Sequence, residues 1–190
     1  MEKALLILDL DETLLYAGAP IDAKEHVPDF YTKDMWYTGY PVYKRPFLEE
    51  FLQRVNKLYK LAVWSSAGTD HIASCVANII PGNIDLEFIW SSKRCIYTYD
   101  PEWRRRVFGI KPLKKVKRRG YNLERTLIVD NSAYKCVKNY GNAIYIKDFY
   151  GSPEDEELRF LTLYLEHLAD HSNYRDLEKR GWRSWAEKQS

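Results

Sequence analysis

The stretch ALLILDLDETLL, residues 4–15, begins as an uninterrupted aliphatic run and breaks at Asp9, Asp11 and Glu12 before Leu14 and Leu15 resume it. A continuous apolar run of this length predicts a strand covered on both faces, over residues 3–8. Carboxylates two residues apart on an extended segment share a face. At about 5 Å and an effective dielectric near 20 their repulsion is roughly 3 kcal/mol. A chain that places such a cost at the end of a buried strand needs something there to offset it.

The rest of the chain repeats the pattern. KLAVWSS (60–66), IDLEFIW (84–90), RTLIVDNS (125–132) and NAIYI (142–146) read as further apolar strands. Between them lie helical periodicities. RPFLEEFLQRVNKLY (45–59) opens with Pro46 at a first helical position and places Phe47, Phe51, Val55 and Leu58 on one face. TDHIASCVANII (69–80) lines up Ile72, Val76 and Ile79, and KPLKKVKRRG (111–120) suits a short basic helix from Pro112 to Gly120. SPEDEELRFLTLYLEHL (152–168) carries a cap at Ser152, Pro153 at the first position and a stripe of Leu158, Leu161, Leu165 and Leu168. Strands alternating with helices predict an α/β domain with a mostly parallel central sheet flanked by helices. Residues 1–170 form one domain in this reading, with irregular insertions at about 16–44 and 91–110, the first holding a small flap. The charged tail, 171–190, with Trp182 and Trp185, is read as a docked helix.

Composition narrows the classes. Hydrophobic residues at 45% and charged residues at 29% describe a globular chain rather than a disordered one. A net charge of +2 does not by itself call for nucleic acid. The three cysteines, Cys75, Cys95 and Cys136, have unrelated spacings that suggest neither a disulfide framework nor a zinc site. The N-terminus lacks a cleavable leader pattern, and no segment reaches the ~20 apolar residues of a membrane span. The expectation is a cytoplasmic protein without membrane contact, nuclear if the source is eukaryotic.

In a parallel sheet, ligands collect beyond the carboxyl ends of the strands. Three of the strands end in polar residues there: Asp9 and Asp11, Ser65 and Ser66, Asp130 and Asn131. A hard cation such as Mg²⁺ takes oxygen ligands, and Asp9, Asp130 and Asn131 could supply them. Lys111, ahead of a helix start, adds positive charge for an anion, and Ser65 a hydrogen-bond donor. A pocket acidic toward a metal and cationic toward a phosphate suits phosphoryl transfer.

LDLDETL resembles the DxDxT signature of haloacid dehalogenase (HAD) superfamily phosphatases, and a Ser-ended strand (VWSSAG), a lysine (IKPLKKV) and an Asp-Asn pair (IVDNS) follow in the family's order. DLDETL, VYKRPFLEEFL and LIVDNS are similar, more narrowly, to the RNA polymerase II C-terminal-domain phosphatases and the NLI-interacting-factor-like phosphatases. The matches span residues 5 to about 168. The resemblance implies a Rossmann-like HAD fold without a large cap domain. It implies Asp9 as the nucleophile that becomes an aspartyl-phosphate, and Asp11 as the acid and base. Ser65 and Lys111 would bind the phosphate, Lys111 also serving catalysis, and Thr13 would stand with them while bracing the turn. Mg²⁺ would be held by Asp9, the Asp11 backbone, Asn131 and, through water, Asp130, which alternatively orients Lys111.

Each assignment has a plainer rival in the sequence. Ser66 competes with Ser65, and Lys114 and Lys115 compete with Lys111. Arg45 reads as structural, Arg94 as a weak phosphate candidate and Trp64 as core. The basic run at 114–119 reads as a solvated helix face, with contact to nucleic acid left open. The substrate expected is a phosphoprotein or phosphopeptide, because no cap closes the site. A phosphatase of small metabolites or nucleic-acid ends, and a binding module without catalysis, are the alternatives. Oligomeric state is left open. The VWSSAG stretch and residues 91–110 depart from the better-known eukaryotic pattern, so specificity for the polymerase tail does not carry over.

Overall fold

The structure, a computed structural model, describes residues 2–18, 36–37, 40–100 and 104–190. The centre is a five-stranded parallel sheet of β1 (Ala4–Leu8), β5 (Tyr59–Trp64), β6 (Leu86–Trp90), β9 (Thr126–Asp130) and β10 (Ala143–Tyr145), in the order β10-β9-β1-β5-β6. Leu6 of β1 is in register with Leu61 on one side and Leu127 on the other. The chain moves outward from β1 through β5 to β6, then returns to β9 on the opposite flank. The direction therefore reverses at β1, where such sheets open a crevice beyond their carboxyl ends.

All five residues of β1 are buried, which is why the strand reads as an unbroken apolar run. Alternate residues serve different layers. Leu6 and Leu8 join Leu61, Val63, Leu127 and Val129 in a core against α1 (Leu48–Leu58), α2 (Thr69–Ile79), α4 (Glu157–Leu168) and α5 (Trp182–Glu187). Leu5 and Ile7 join Ala62, Trp64 and Ile128 in a second core, covered by Leu113, by Val116 of the short α3 (Lys114–Lys117), by Cys136 and by the rings of Phe88 and Trp90. The expected stripe of α4 is fully used: Leu158, Leu161, Leu165 and Leu168 are all buried. Residues 171–190 close the same core, with Tyr174, Trp182 and Ala186 buried in it and Trp182 Nε1 donating to the Tyr145 carbonyl at 2.8 Å.

Three local expectations change. The helix anticipated from Pro46 starts at Leu48, after Phe47 in a left-handed conformation (φ 63°), and Phe47 faces outward while Leu48 and Leu52 are buried. Arg45 explains the delay. It is drawn into the protein, donating from Nε and Nη2 to both oxygens of Asp155 at 2.8 Å and from Nη1 to the Thr13 carbonyl at 2.9 Å. The helix expected from Ser152 starts at Glu157, with Glu156 rather than Ser152 at its N-cap, and Asp155, held by Arg45 one residue earlier, accepts from the Glu157 N–H at 3.0 Å. Within 91–110, expected to be irregular, the described residues include β7 (Ile96–Asp100) and β8 (Arg105–Ile110), which pair antiparallel, with Tyr97 and Phe108 4.8 Å apart.

The flap anticipated at 16–44 appears as the small antiparallel sheet of β2 (Leu15–Ala17), β4 (Tyr40–Lys44) and β3 (Trp36–Tyr37). Residues 19–35 and 38–39 of that insertion, and 101–103 of the other, lie outside the described residues. The three cysteines are free and buried. Among the described residues no helix is long and apolar enough to cross a membrane.

Candidate active site

Asp9, Ser65 and Asp130 stand at the carboxyl ends of three adjacent strands, and each is buried. The Asp9 N–H donates to the Val129 carbonyl at 3.1 Å, so the sheet ladder itself fixes where this carboxylate sits. Beyond it Leu10 accepts from the N–H groups of Thr13 and Leu14, and Glu12 takes a positive φ of 55°. This tight turn carries Asp11 away from Asp9, so the two carboxylates acquire separate partners.

Asp9 Oδ1 is 2.8 Å from Lys111 Nζ, and Asp9 Oδ2 is 3.0 Å from Lys135 Nζ. Lys111 Nζ also meets Asp130 Oδ2 at 2.6 Å, while Lys135 Nζ lies 3.8 Å from Asp130 Oδ1. Two carboxylates and two ammonium groups thus alternate around a square. Burial alone would push the Asp9 carboxyl up, but Lys111 and Lys135 outweigh it and hold Asp9 below its ordinary value, as an anion. Burial and the Asp9 charge push Asp130 up against the pull of the same lysines. Lys111 is fully buried, and Asn139 secures its loop by donating to the Lys111 carbonyl at 2.8 Å and accepting from the Leu113 N–H at 2.9 Å.

Asp11 is held differently. Its Oδ2 accepts from Ser65 Oγ at 3.1 Å, and its Oδ1 is 2.6 Å from His71 Nε2. The hydrogen bond to Asp11, followed by one to Cys75, pushes the His71 imidazolium up to about 10. The repulsion written into the sequence is therefore answered by the chain's own Lys111, Lys135 and His71 rather than by a metal alone.

Asn131 accepts at Oδ1 from the Thr13 hydroxyl at 3.4 Å and donates from Nδ2 to Asp148 at 2.7 Å. Thr13 is fully buried, and its hydroxyl reaches Asn131. Among the described residues no group of three His, Cys, Asp or Glu side chains is placed to hold a metal. The donors that suit a hard cation are of mixed kind: the Asp9 carboxylate, the Asp11 carbonyl and the Asn131 amide oxygen, completed by water. Asp9 Oδ1, buried and without a partner of hydrogen-bond geometry despite its contact with Lys111, leaves an acceptor for such an ion. The donor set fits Mg²⁺.

Between the rivals, Lys111 is the lysine at Asp9, whereas Lys115 donates to the Arg94 carbonyl at 2.7 Å. Arg119 lies over the Phe88 and Trp90 rings at 5.4 and 5.8 Å, so part of the basic run shields the second core. Arg94 is exposed over Trp90, at 5.3 Å, and touches none of the site carboxylates described above. Sequence reasoning missed Lys135, His71 and Asp148. Lys135 sits five residues past Asp130 on the turn that follows β9, and that position was its only signal. His71 stands in the first turn of the helix that follows Ser65.

An open parallel sheet with these groups on its carboxyl edge has the HAD fold that the ordered motifs implied. Its likeness in structure to "Fcp1, an essential RNA polymerase II CTD phosphatase" has a TM-score of 0.64, at 15% identity over 91% of this chain and 68% of that one, a similarity of fold alone. Residues 4–176 match the model of the NLI interacting factor-like phosphatases, and the chain belongs to that family. It is similar to CTD small phosphatase-like protein 2 of Dictyostelium discoideum, 29% identical over 91% of this chain and 29% of that protein. It is likewise similar to human carboxy-terminal domain RNA polymerase II polypeptide A small phosphatase 1, 26% identical over 88% of this chain and 60% of that protein. The chain thus spans less than two thirds of the length of either relative.

Proposed function

We propose that this chain is a Mg²⁺-dependent phosphomonoester hydrolase that works through an aspartyl-phosphate on Asp9, with phosphoserine or phosphothreonine in protein as its substrate. The observation that carries the reading is the pairing of a buried, ionised Asp9 between two lysines with a separately held Asp11. Asp9 attacks phosphorus as the ester P–O bond breaks, and Asp11 passes a proton drawn from the His71 imidazolium to the departing oxygen. Asp11 then takes a proton from water, whose oxygen attacks phosphorus and breaks the bond to Asp9, releasing inorganic phosphate. Lys111 compensates charge on the phosphoryl group, and the Ser65 hydroxyl, donated to Asp11 in this structure, would turn its one proton to a phosphate oxygen when substrate binds. Asp9, the Asp11 carbonyl and Asn131 would hold Mg²⁺, with Asp130 bound to Lys111 behind them. When bound, the ion supplies further positive charge for the phosphate oxygens.

A protein substrate is favoured by the names of the relatives and by the hairpin that leads directly into Lys111. That hairpin exposes Tyr97, Tyr99 and Phe108, an aromatic surface suited to a peptide rather than a sugar phosphate. The test is hydrolysis of an aryl phosphate and of phosphopeptides, with Mg²⁺ and with chelator. Turnover requires Mg²⁺ and falls at least about a thousandfold in Asp9→Asn, the order lost with a covalent nucleophile. Full activity of that variant would remove Asp9 as nucleophile, and an inert wild type would leave the chain a binding module.

A further inference from the structure

Both oxygens of Asp9 face an ammonium group, yet a carboxylate can attack phosphorus only through an oxygen turned toward it. Each oxygen keeps a second lone pair, but a phosphoryl group reaching it also meets a lysine cation, which gains by turning from the carboxylate to the phosphate. Lys111 is fully buried, its backbone is fixed on both sides by Lys135 O and Asn139, and it holds Asp130 at 2.6 Å. Lys135 is the looser of the two: its contacts are 3.0 Å to Asp9 and 3.8 Å to Asp130, and its side chain retains 9% exposure against none for Lys111. It projects from the short helical turn Ala133–Cys136, on a flexible four-carbon stem bearing a point charge. That stem packs beside Gly109 of β8, where a Cβ would stand in ordinary contact, 3.9 Å from Lys135 Cγ.

We infer that Lys135 is a mobile cation of this site: it pairs with the Asp9 nucleophile in the resting protein and turns its ammonium group to the phosphoryl oxygens, the side chain staying intact, when substrate arrives. The inference rests on the phosphatase reading and adds a residue to it. The formal charges of Asp9 and Asp130 are already balanced by Lys111 and Lys135. A metal ion at Asp9 Oδ1 is repelled by the Lys135 charge on the other oxygen, whereas a phosphate gains from Lys135 once it is released. Removing the lysine changes the two affinities in opposite directions, which loss of an ion pair remote from both ligands would not do.

The experiment is calorimetric titration of the intact chain with MgCl₂ alone, then with inorganic phosphate at saturating Mg²⁺, for wild type, Lys135→Met, Lys135→Gln and Lys135→Arg. In Lys135→Met, Mg²⁺ binds about tenfold tighter and phosphate about tenfold weaker, each a change of about 1.4 kcal/mol. Lys135→Arg, which keeps the charge, keeps both affinities within about threefold of wild type. Unchanged affinities in Lys135→Met, or a shift of both in the same direction, overturn the inference. If Lys135→Met does not fold, Lys135→Gln carries the same two titrations. Loss of folding in both neutral variants would make Lys135 a fold-holding ion pair and overturn it equally. A wild type that hydrolyses phosphate esters while Lys135→Met binds both probes normally removes only this inference. A wild type that neither hydrolyses esters nor binds phosphate removes the phosphatase reading and this one with it.

Discussion

Arg45→Met removes a guanidinium that joins three distant segments: the turn after β1, the start of α1 and the approach to α4. Arg45 has no exposed side-chain surface, and Asp155 retains 15%. At 2.8 Å and an effective dielectric near 20, one unit pair is worth about 6 kcal/mol before the desolvation of both partners is counted. Removing one member of a buried pair typically costs 3–5 kcal/mol. Water can reach Asp155 in the variant, which favours about 3 kcal/mol here, and the loss of the donor to the buried Thr13 carbonyl adds about 1 kcal/mol. The expected destabilisation is roughly 4 kcal/mol in urea unfolding, with an unchanged m-value, and a fall in Tm of about 10 °C. Arg45→Lys keeps the charge but not the two-pronged contact, so it recovers about half. A double-mutant cycle with Asp155→Asn should return a coupling above about 1 kcal/mol. A loss below 1 kcal/mol for Arg45→Met would show that this ion pair does not carry the fold.

His71→Gln tests the grip on Asp11 through pH. His71 has its pKa raised from 6.5 to about 10, so its contribution to stability is complete below pH 6.5 and is lost as pH rises toward 10. The variant should lack that decline in urea unfolding between pH 6.5 and 10, and an identical profile in wild type and variant would refute the pairing. If His71 positions Asp11 as the acid, the kcat of His71→Ala falls more for phosphoserine peptides than for nitrophenyl phosphate, whose leaving group needs no proton; equal losses would argue against it. Gly109 has φ 97° and packs beside Ser66 and Lys135, so Gly109→Ala should cost about 1 kcal/mol or more in urea unfolding and lower kcat; a neutral result would mean that the backbone relaxes there freely.

The apolar runs of β1, β5 and β9 were legible because strands buried on both faces must be apolar throughout, and their polar ends marked the reactive edge. Asp9, Asp11, Ser65, Asp130 and Asn131 followed from that rule and from the resemblance. The starts of α1 and α4 were misread because local capping signals at Pro46 and Ser152 lost to a contact between Arg45 and Asp155, 110 residues apart. Residues 91–110 showed no alternation clear enough to declare a hairpin whose aromatic side chains face outward.

The sequence by itself determined the sheet, its parallel sense and the acids at its edge, because hydrophobic period and strand-end polarity are local properties. Only the tertiary structure decided what neutralises those acids. Lys111 rather than Lys114 or Lys115 meets Asp9, and Lys135 reaches it from 126 residues away. A lysine or histidine looks the same in sequence whether it is solvated or buried on a carboxylate. The difference lies in which strand ends the fold brings side by side, and in the desolvation that makes each charge there require a partner.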